Sequence, residues 1–174
     1  IVRSKDITGG LPRVTELFEA RRPKEPAEIA RIDGIIEFGK ISKGRRNLTI
    51  RDPESNEEEV HTVPVGKSLI VFDGDFVRRG QPLTDGAVAP HDLLEVCGPE
   101  EVRKYLLNEV QEVYRLQGVE INDKHIEIIA RQMMRKVRIT EPGATSFVYG
   151  EQIDRQKFME ENARVTAEGG QPAE

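Results

Sequence analysis

Metal binding and acid–base catalysis need His, Cys, Asp or Glu side chains that converge, and this chain offers few of them in a usable pattern. His61, His91 and His125 lie in three different segments, with no His, Cys or carboxylate at a ligand spacing that closes a tetrahedral site. His91 is expected to help cap a helix, and His125 to lie beside a helical apolar stripe. Asp73-Gly74-Asp75 has the outline of a carboxylate pair for Mg2+, yet a third carboxylate in register is missing. Two aspartates around a glycine are also what a tight turn between strands requires, because Asp side chains accept nearby backbone N–H groups. Gly9-Gly10 lacks the Lys-Ser/Thr of a phosphate-binding loop, and Gly39 and Gly44 frame a basic turn without a G-x-G-x-x-G pattern. The expectation is therefore no catalytic residue, no metal site and no cofactor in this chain.

The cations are better placed. Lys40-Ile41-Ser42-Lys43-Gly44-Arg45-Arg46 carries four of them in seven residues. Such a turn can contact phosphate, or it can be a solvated hairpin end that guards an exposed sheet. Arg21, Arg22 and Lys24 form a second cluster open to the same two readings. The formal net charge of −5 conceals this distribution. Residues 1–51 hold 12 Lys or Arg against 7 Asp or Glu, a net of +5, whereas residues 52–101 hold 3 against 12, a net of −9. Only the first part favours phosphate.

Elements must position these groups. Leu11-Pro12 opens a short helix with Val14, Leu17 and Phe18 on one stripe, and Pro23 and Pro26 end it. From Ile32 to about Pro90 the pattern is β-rich, with strands expected at Ile35–Phe38, Asn47–Arg51, Glu58–Val63, Ser68–Phe72 and near Gln81–Thr84. A short helix then runs to Val96, and a longer one opens at Pro99 with Val102, Leu106, Val110, Val113 and Leu116 on one side. Asn122 caps the next, which carries Ile126, Ile129, Ala130, Met133 and Val137, so the two are expected to form a helical hairpin. A strand at Val137–Thr140, a second at Ser146–Tyr149 and a weak helix from Asp154 to Arg164 complete the pattern. The expected class is α+β, divided as 1–31 (first helix and linker), 32–90 (a small barrel- or sandwich-like β module), 91–140 (helices), 141–166 (strand and helix) and 167–174 (disordered).

Charged residues make up 33% of the 174 residues and aromatics 5%, which describes a surface-rich module and not a large enzyme core. The longest apolar runs, such as Leu69–Phe72, are too short to span a bilayer. One cysteine, Cys97, permits no internal disulfide, and the cytoplasm is the expected location. Without an initiator Met or signal peptide, the sequence reads as a piece of a longer protein.

Three stretches carry a resemblance: Asp6-Ile7-Thr8-Gly9-Gly10-Leu11-Pro12-Arg13-Val14 with Glu16–Arg21; Gly86 through Pro90-His91-Asp92; and Asn108-Glu109-Val110-Gln111 with Tyr114–Val119 and Ile121–Glu127. From about Lys5 to about Phe158 the chain resembles the C-terminal part of the largest, beta-prime subunit of bacterial RNA polymerases. The resemblance implies that the first stretch is the second arm of the mobile trigger loop. Gly9, Gly10, Leu11, Pro12 and Arg13 would form its base, and Val14, Leu17 and Phe18 its anchor. It implies that the β-rich module is the jaw beside the downstream DNA. The catalytic Mg2+ of the parent nucleotidyltransferase, and the nucleotide-facing His of the first arm, would lie elsewhere, so none of the three histidines inherits that role. Implied partners are the beta, alpha and omega subunits, a sigma factor, downstream DNA and transcription regulators. Ile1–Lys5 departs from the short loop of many family members and suggests an upstream insertion, which leaves open whether the first helix folds without its partner arm. Gly74–Leu83 is also similar to lipoyl and biotinyl carrier domains of the barrel-sandwich hybrid type, but the Met-Lys-like pair that carries the prosthetic group is missing, so that likeness concerns fold alone. The alternative function is a protein-interaction module that docks regulators or neighbouring subunits through the acidic stretch Asp52–Asp92, a role that would depend on Glu57, Glu58 and Glu59.

Overall fold

Apolar residues alternating with polar ones build the first part of the molecule. The computed structural model describes residues 10–174, so Gly9 of the expected trigger-loop base, and Asp6–Thr8 of the first matching stretch, lie outside the described residues. The fold is α+β. It divides into two compact units, one ending at Ile121 and one spanning Asn122–Glu174.

In the first unit β1 (Gly34–Ser42), β2 (Arg45–Arg51), β3 (Glu58–Pro64) and β4 (Phe76–Val77) form a curled antiparallel sheet in the order β3-β2-β1-β4. Ile36, Leu48, Ile50, Val63 and Val77 point to one face and are buried with Ala30, Val71 and Leu83. Glu37, Thr62 and Arg51 point away, as the period of two requires. β1 is longer than the expected Ile35–Phe38, because Lys40-Ile41-Ser42 continue the strand after a register shift between Phe38 and Ile41. Ser68–Phe72 and Gln81–Thr84, expected as strands, are tied only by single bridges, Leu69 to Thr84 and Ile29 to Pro82. Proline lacks the N–H that a continuous ladder needs. Hydrogen bonds from Ile70 N to Leu83 O, Leu83 N to Glu28 O and Ala30 N to Gln81 O nevertheless lay these segments over the sheet and close the core.

Asp73-Gly74-Asp75 is a turn. Asp73 Oδ1 accepts from Phe38 N at 2.6 Å, Asp75 Oδ2 accepts from Phe72 N at 2.8 Å, and Gly74 takes a φ of 87°. α1 (Leu11–Phe18), α2 (Pro90–Cys97) and α3 (Pro99–Leu116) complete the unit. His91 does not cap α2: the N-cap is Ala89 without a side-chain bond, and Pro90 occupies the first turn. Gly80, with φ 81°, passes so close to α2 that a Cβ there would collide with Cys97 Sγ.

In the second unit Asn122 caps α4 (Asp123–Met133), its side chain accepting from Lys124 N at 3.1 Å. β5 (Lys136–Arg138) pairs with β6 (Gln152–Asp154), and α5 (Arg155–Ala167) follows. The second strand is therefore not Ser146–Tyr149. That stretch is the turn before β6, with Phe147 buried beside Phe158 at a ring separation of 6.4 Å. The expected hairpin partners α3 and α4 fall in different units. Residues 167–174, expected to be disordered, fold back: Ala173 is buried, Asn162 bonds both its N–H and its C=O, and Thr140 N donates to Glu174 O at 2.7 Å. Their polar composition misleads because a side-chain amide and the backbone of Thr140–Glu141 hold them, with Ala173 as their one buried apolar side chain.

Two outcomes follow from these arrangements. Ile50, fully buried on the central strand, becomes a cavity in Ile50→Ala, and the first unit is expected to lose about 2–5 kcal/mol in urea unfolding monitored by circular dichroism. In the second unit Glu161 is held down to about 2, chiefly by hydrogen bonding to Arg164. Its folded-state pKa lies below the ordinary value of 4.5, so its contribution is present above about pH 4.5 and is lost as pH falls toward about 2. Carbon-detected NMR titration of the Glu161 carboxyl is expected to give that low midpoint, and Arg164→Met to return it toward 4.5.

Candidate nucleic-acid interface

A two-residue turn builds the basic tip. Lys43 and Gly44 both take positive φ, 50° and 75°, the geometry of the tight hairpin turn that matches strand twist. Ser42 then pairs with Arg45, and Ile41 with Arg46. The Arg46 guanidinium lies 5.5 Å from the centre of the Phe38 ring, a partly buried ring that packs against the core. Among the described residues no carboxylate lies within ion-pair distance of Lys40, Lys43, Arg45 or Arg46. The structure thus brings these four together at one end of the β1–β2 ribbon.

Arg21, Arg22 and Lys24 behave differently. Arg21 pairs with Glu19 and Arg22 with Asp92, leaving Lys24 as the cation without such a partner among the described residues. The acidic stretch is also largely engaged. Glu58 pairs with Arg51 at 2.7 Å, and Glu59 accepts from Arg31 N at 3.1 Å while lying 3.3 Å from His61 Nε2. Asp52 accepts from Ser55 Oγ and from Glu54 N, bonds that push its pKa down. Glu57 is the exposed member of the acidic triplet not occupied in this way.

The expected anchor residues of α1 have a defined seat. Val14 and Leu17 are buried and Phe18 half-buried where α1 packs on α3. Pro12 stands in the first turn, Leu11 is exposed, and Gly10 caps the helix with φ 76°. Arg13 reaches across to Glu109 at 2.9 Å and to Tyr105 Oη at 3.4 Å, and the Tyr105 hydroxyl donates to Val88 O at 3.0 Å. Burial, with the Glu109 charge beside it, pushes Tyr105 up to about 12. Burial is the largest single influence on Arg13 and works against its charge, but the hydrogen bond it donates to Glu109, the bond to Tyr105 and the charges of both partners together outweigh it and raise the Arg13 pKa. Gln111 closes the far end of α3 by donating to Ile121 O at 2.7 Å. Tyr105 and Glu109 were not singled out from the sequence. Their spacing of four on α3, just off the Leu106 stripe, is the signal that could have found them.

Among the described residues no group of three His, Cys, Asp or Glu side chains is close enough to share a metal ion. Cys97 borders an open depression of about 570 Å3 with Asp33, Arg79 and Leu94. Burial raises its pKa despite Arg79, so its thiol stays protonated near neutral pH and is a poor nucleophile.

The α1 seat has a titration signature. An unfolded Tyr ionises near 10, whereas Tyr105 holds its proton to about 12, so stability falls as pH rises from about 10 toward about 12. Glu109→Gln is expected to lower the Tyr105 midpoint in ultraviolet titration and to cost about 1–3 kcal/mol, because Arg13 keeps its charge and loses its partner. Glu101→Gln, which removes an exposed pair with Lys104, is expected to cost much less than Glu109→Gln in the same urea unfolding, because solvent screens that pair.

A family model described as RNA polymerase Rpb1, domain 5, matches residues 4–163. The DNA-directed RNA polymerase subunit beta′ of Methylacidiphilum infernorum (isolate V4) is 61% identical over 173 residues, which is 99% of this chain and 12% of that protein. The subunit of the same name from Chlamydia abortus (strain DSM 27085 / S26/3) is 58% identical, and that from Chlamydia pneumoniae 57% identical, over the same shares of each. The chain thus spans 12% of the length of these curated relatives. The match takes in α1 with its seat on α3 and the basic hairpin, and it places the chain in the RNA polymerase Rpb1, domain 5 family.

Proposed function

We propose that this chain is a part of the largest subunit of a bacterial DNA-directed RNA polymerase, a nucleotidyltransferase, and that it supports transcription without contributing a catalytic residue. Two regions share the work. α1, seated on α3 through Val14, Leu17 and the Arg13–Glu109 pair, is the fixed end of the second trigger-loop arm. A mobile arm needs an immobile root, and a mixed apolar and ionic seat supplies one. The β-rich module is the jaw, and its basic tip guides downstream DNA. The catalytic Mg2+ would be held by residues of the full-length subunit outside this chain, the other polymerase subunits and a sigma factor would be its partners, and the cytoplasm its location.

The observation that carries the DNA-guiding role is the concentration of Lys40, Lys43, Arg45 and Arg46 at one hairpin end, where among the described residues no carboxylate lies within ion-pair distance of them. Four like charges repel one another, and a polyanion relieves that repulsion. Docking through the acidic face is less favoured, since Glu58 is already engaged by Arg51 and Glu59 by Arg31.

Neutralising Lys40, Lys43, Arg45 and Arg46 to Gln in the assembled polymerase is expected to weaken downstream duplex binding without changing sequence preference. Each lost phosphate contact lowers the slope of log K against log salt by about 0.9. Footprinting of downstream DNA across a salt series measures it. An unchanged footprint with an unchanged slope would leave the tip as a solvated hairpin end.

A further inference from the structure

Ile128–Thr140 contains Arg131, Arg135, Lys136 and Arg138 and not one Asp or Glu. Arg135 is neutralised by Asp154 at 3.1 Å. Lys136 and Arg138 stand two apart on β5, so both side chains leave the same face of the β5–β6 ribbon, opposite the face that buries Ile153. Both are exposed, and among the described residues neither has a carboxylate within ion-pair distance. Next to this ribbon the chain makes a rigid turn. Phe147 is buried against Phe158, Gly150 N donates to Ile139 O, and Glu151 bonds Val148 N and places its own N–H on Val148 O. The turn holds Val148 and Tyr149 out into solvent, 65% and 76% exposed. The Gly150–Ile139 bond ties this hydrogen-bonded turn to the residue after Arg138, so an exposed aromatic residue follows a strand bearing two cations that have no ion-pair partner among the described residues, and that combination suits a phosphodiester chain: charge for the backbone and a ring face for a base or sugar.

We propose that Lys136, Arg138 and the Val148–Tyr149 turn form a second phosphodiester-binding surface, carried by the unit Asn122–Glu174 and separate in sequence and element from the β1–β2 tip. It rests on the reading that the chain works on nucleic acid. The ring contact tolerates any base, so the surface holds a strand without reading its sequence. Single-stranded and duplex nucleic acid share the chemistry, and they differ in how much counterion each contact releases.

The experiment uses the full-length subunit assembled into polymerase on a nucleic-acid scaffold with each strand labelled in turn. Photo-crosslinking side chains are placed at Arg138, at Tyr149 and, as the report on the hairpin tip, at Lys43. Adducts with a labelled strand are expected from Arg138 and Tyr149, and the strand labelled identifies single-stranded or duplex contact. Lys136→Gln with Arg138→Gln is expected to flatten the salt slope of scaffold binding by about 1.4 for a single strand or about 1.8 for duplex. Adducts from Arg138 and Tyr149 to protein alone, or none, with the slope unchanged while Lys43 still crosslinks to DNA, overturn this surface and leave the proposed function standing. Loss of DNA adducts at Lys43 as well overturns the proposed function itself.

Discussion

The register of β1 against β2 is the constraint on which the first unit depends. Two residues, Lys43 and Gly44, turn the chain, and one extra residue in β1 between Phe38 and Ile41 lets that turn meet the pairing of Phe38 with Leu48. A slip of one residue would carry Leu48 and Ile50 from the core to solvent and bring Thr49 and Asn47 inside. The bulge therefore does two jobs. It keeps the apolar set of β2 facing Ile36 and Val63, and it ends the ribbon in a tight turn that crowds Lys40, Lys43 and Arg45. A longer loop would have spread those charges. Core and candidate interface are fixed by the same backbone geometry.

How much of this was legible in the sequence varies with what holds each element. Asn47–Arg51 and Glu58–Val63 alternate clearly, and the strands differ from the expected ones at one end each: β2 begins two residues earlier and β3 ends one residue later. Lys40–Ser42 was read as turn because cations suggest solvent, but a ladder constrains the backbone whatever the side chain does. Ser68–Phe72 and Gln81–Thr84 have strand composition without strand pairing, since Pro82 and the turn at Asp73–Asp75 interrupt the ladders. The tail after Ala167 was misread for the opposite reason: Asn162 secures a segment whose own residues are nearly all small or polar. Composition registers apolar burial well and amide clamps poorly.

Of the candidate site, the identity of the cations was legible and their neutralisation was not. Arg21, Arg22 and Lys24 look as basic in sequence as the hairpin does, yet Asp92, far along the chain, takes Arg22, while Glu19 takes Arg21. Charge counting along a chain sees only local partners. The same limit applies to the acidic stretch, where Arg31 and Arg51 engage two of the three successive glutamates. Long-range pairing decides which charges remain to meet a partner, and three-dimensional placement alone gives it.

The seat of α1 shows why an ionic contact accompanies an apolar one. Val14 and Leu17 are buried against α3, but two aliphatic side chains on a helix of eight residues leave it free to rotate or slide by small amounts at little cost. Arg13 removes that freedom. Its side chain is 14% exposed, and its guanidinium is held by Glu109, Glu16 and the Tyr105 hydroxyl, whose own proton is committed to Val88 O. Desolvating a charge is costly, so such a network adds little net stability, and what it adds is directional: each bond fails if the helix turns. The apolar residues hold α1 down, and the Arg13 network sets its angle. A short helix held at a fixed angle needs both, and Arg13, one residue before the buried stripe begins at Val14, is placed to supply the second.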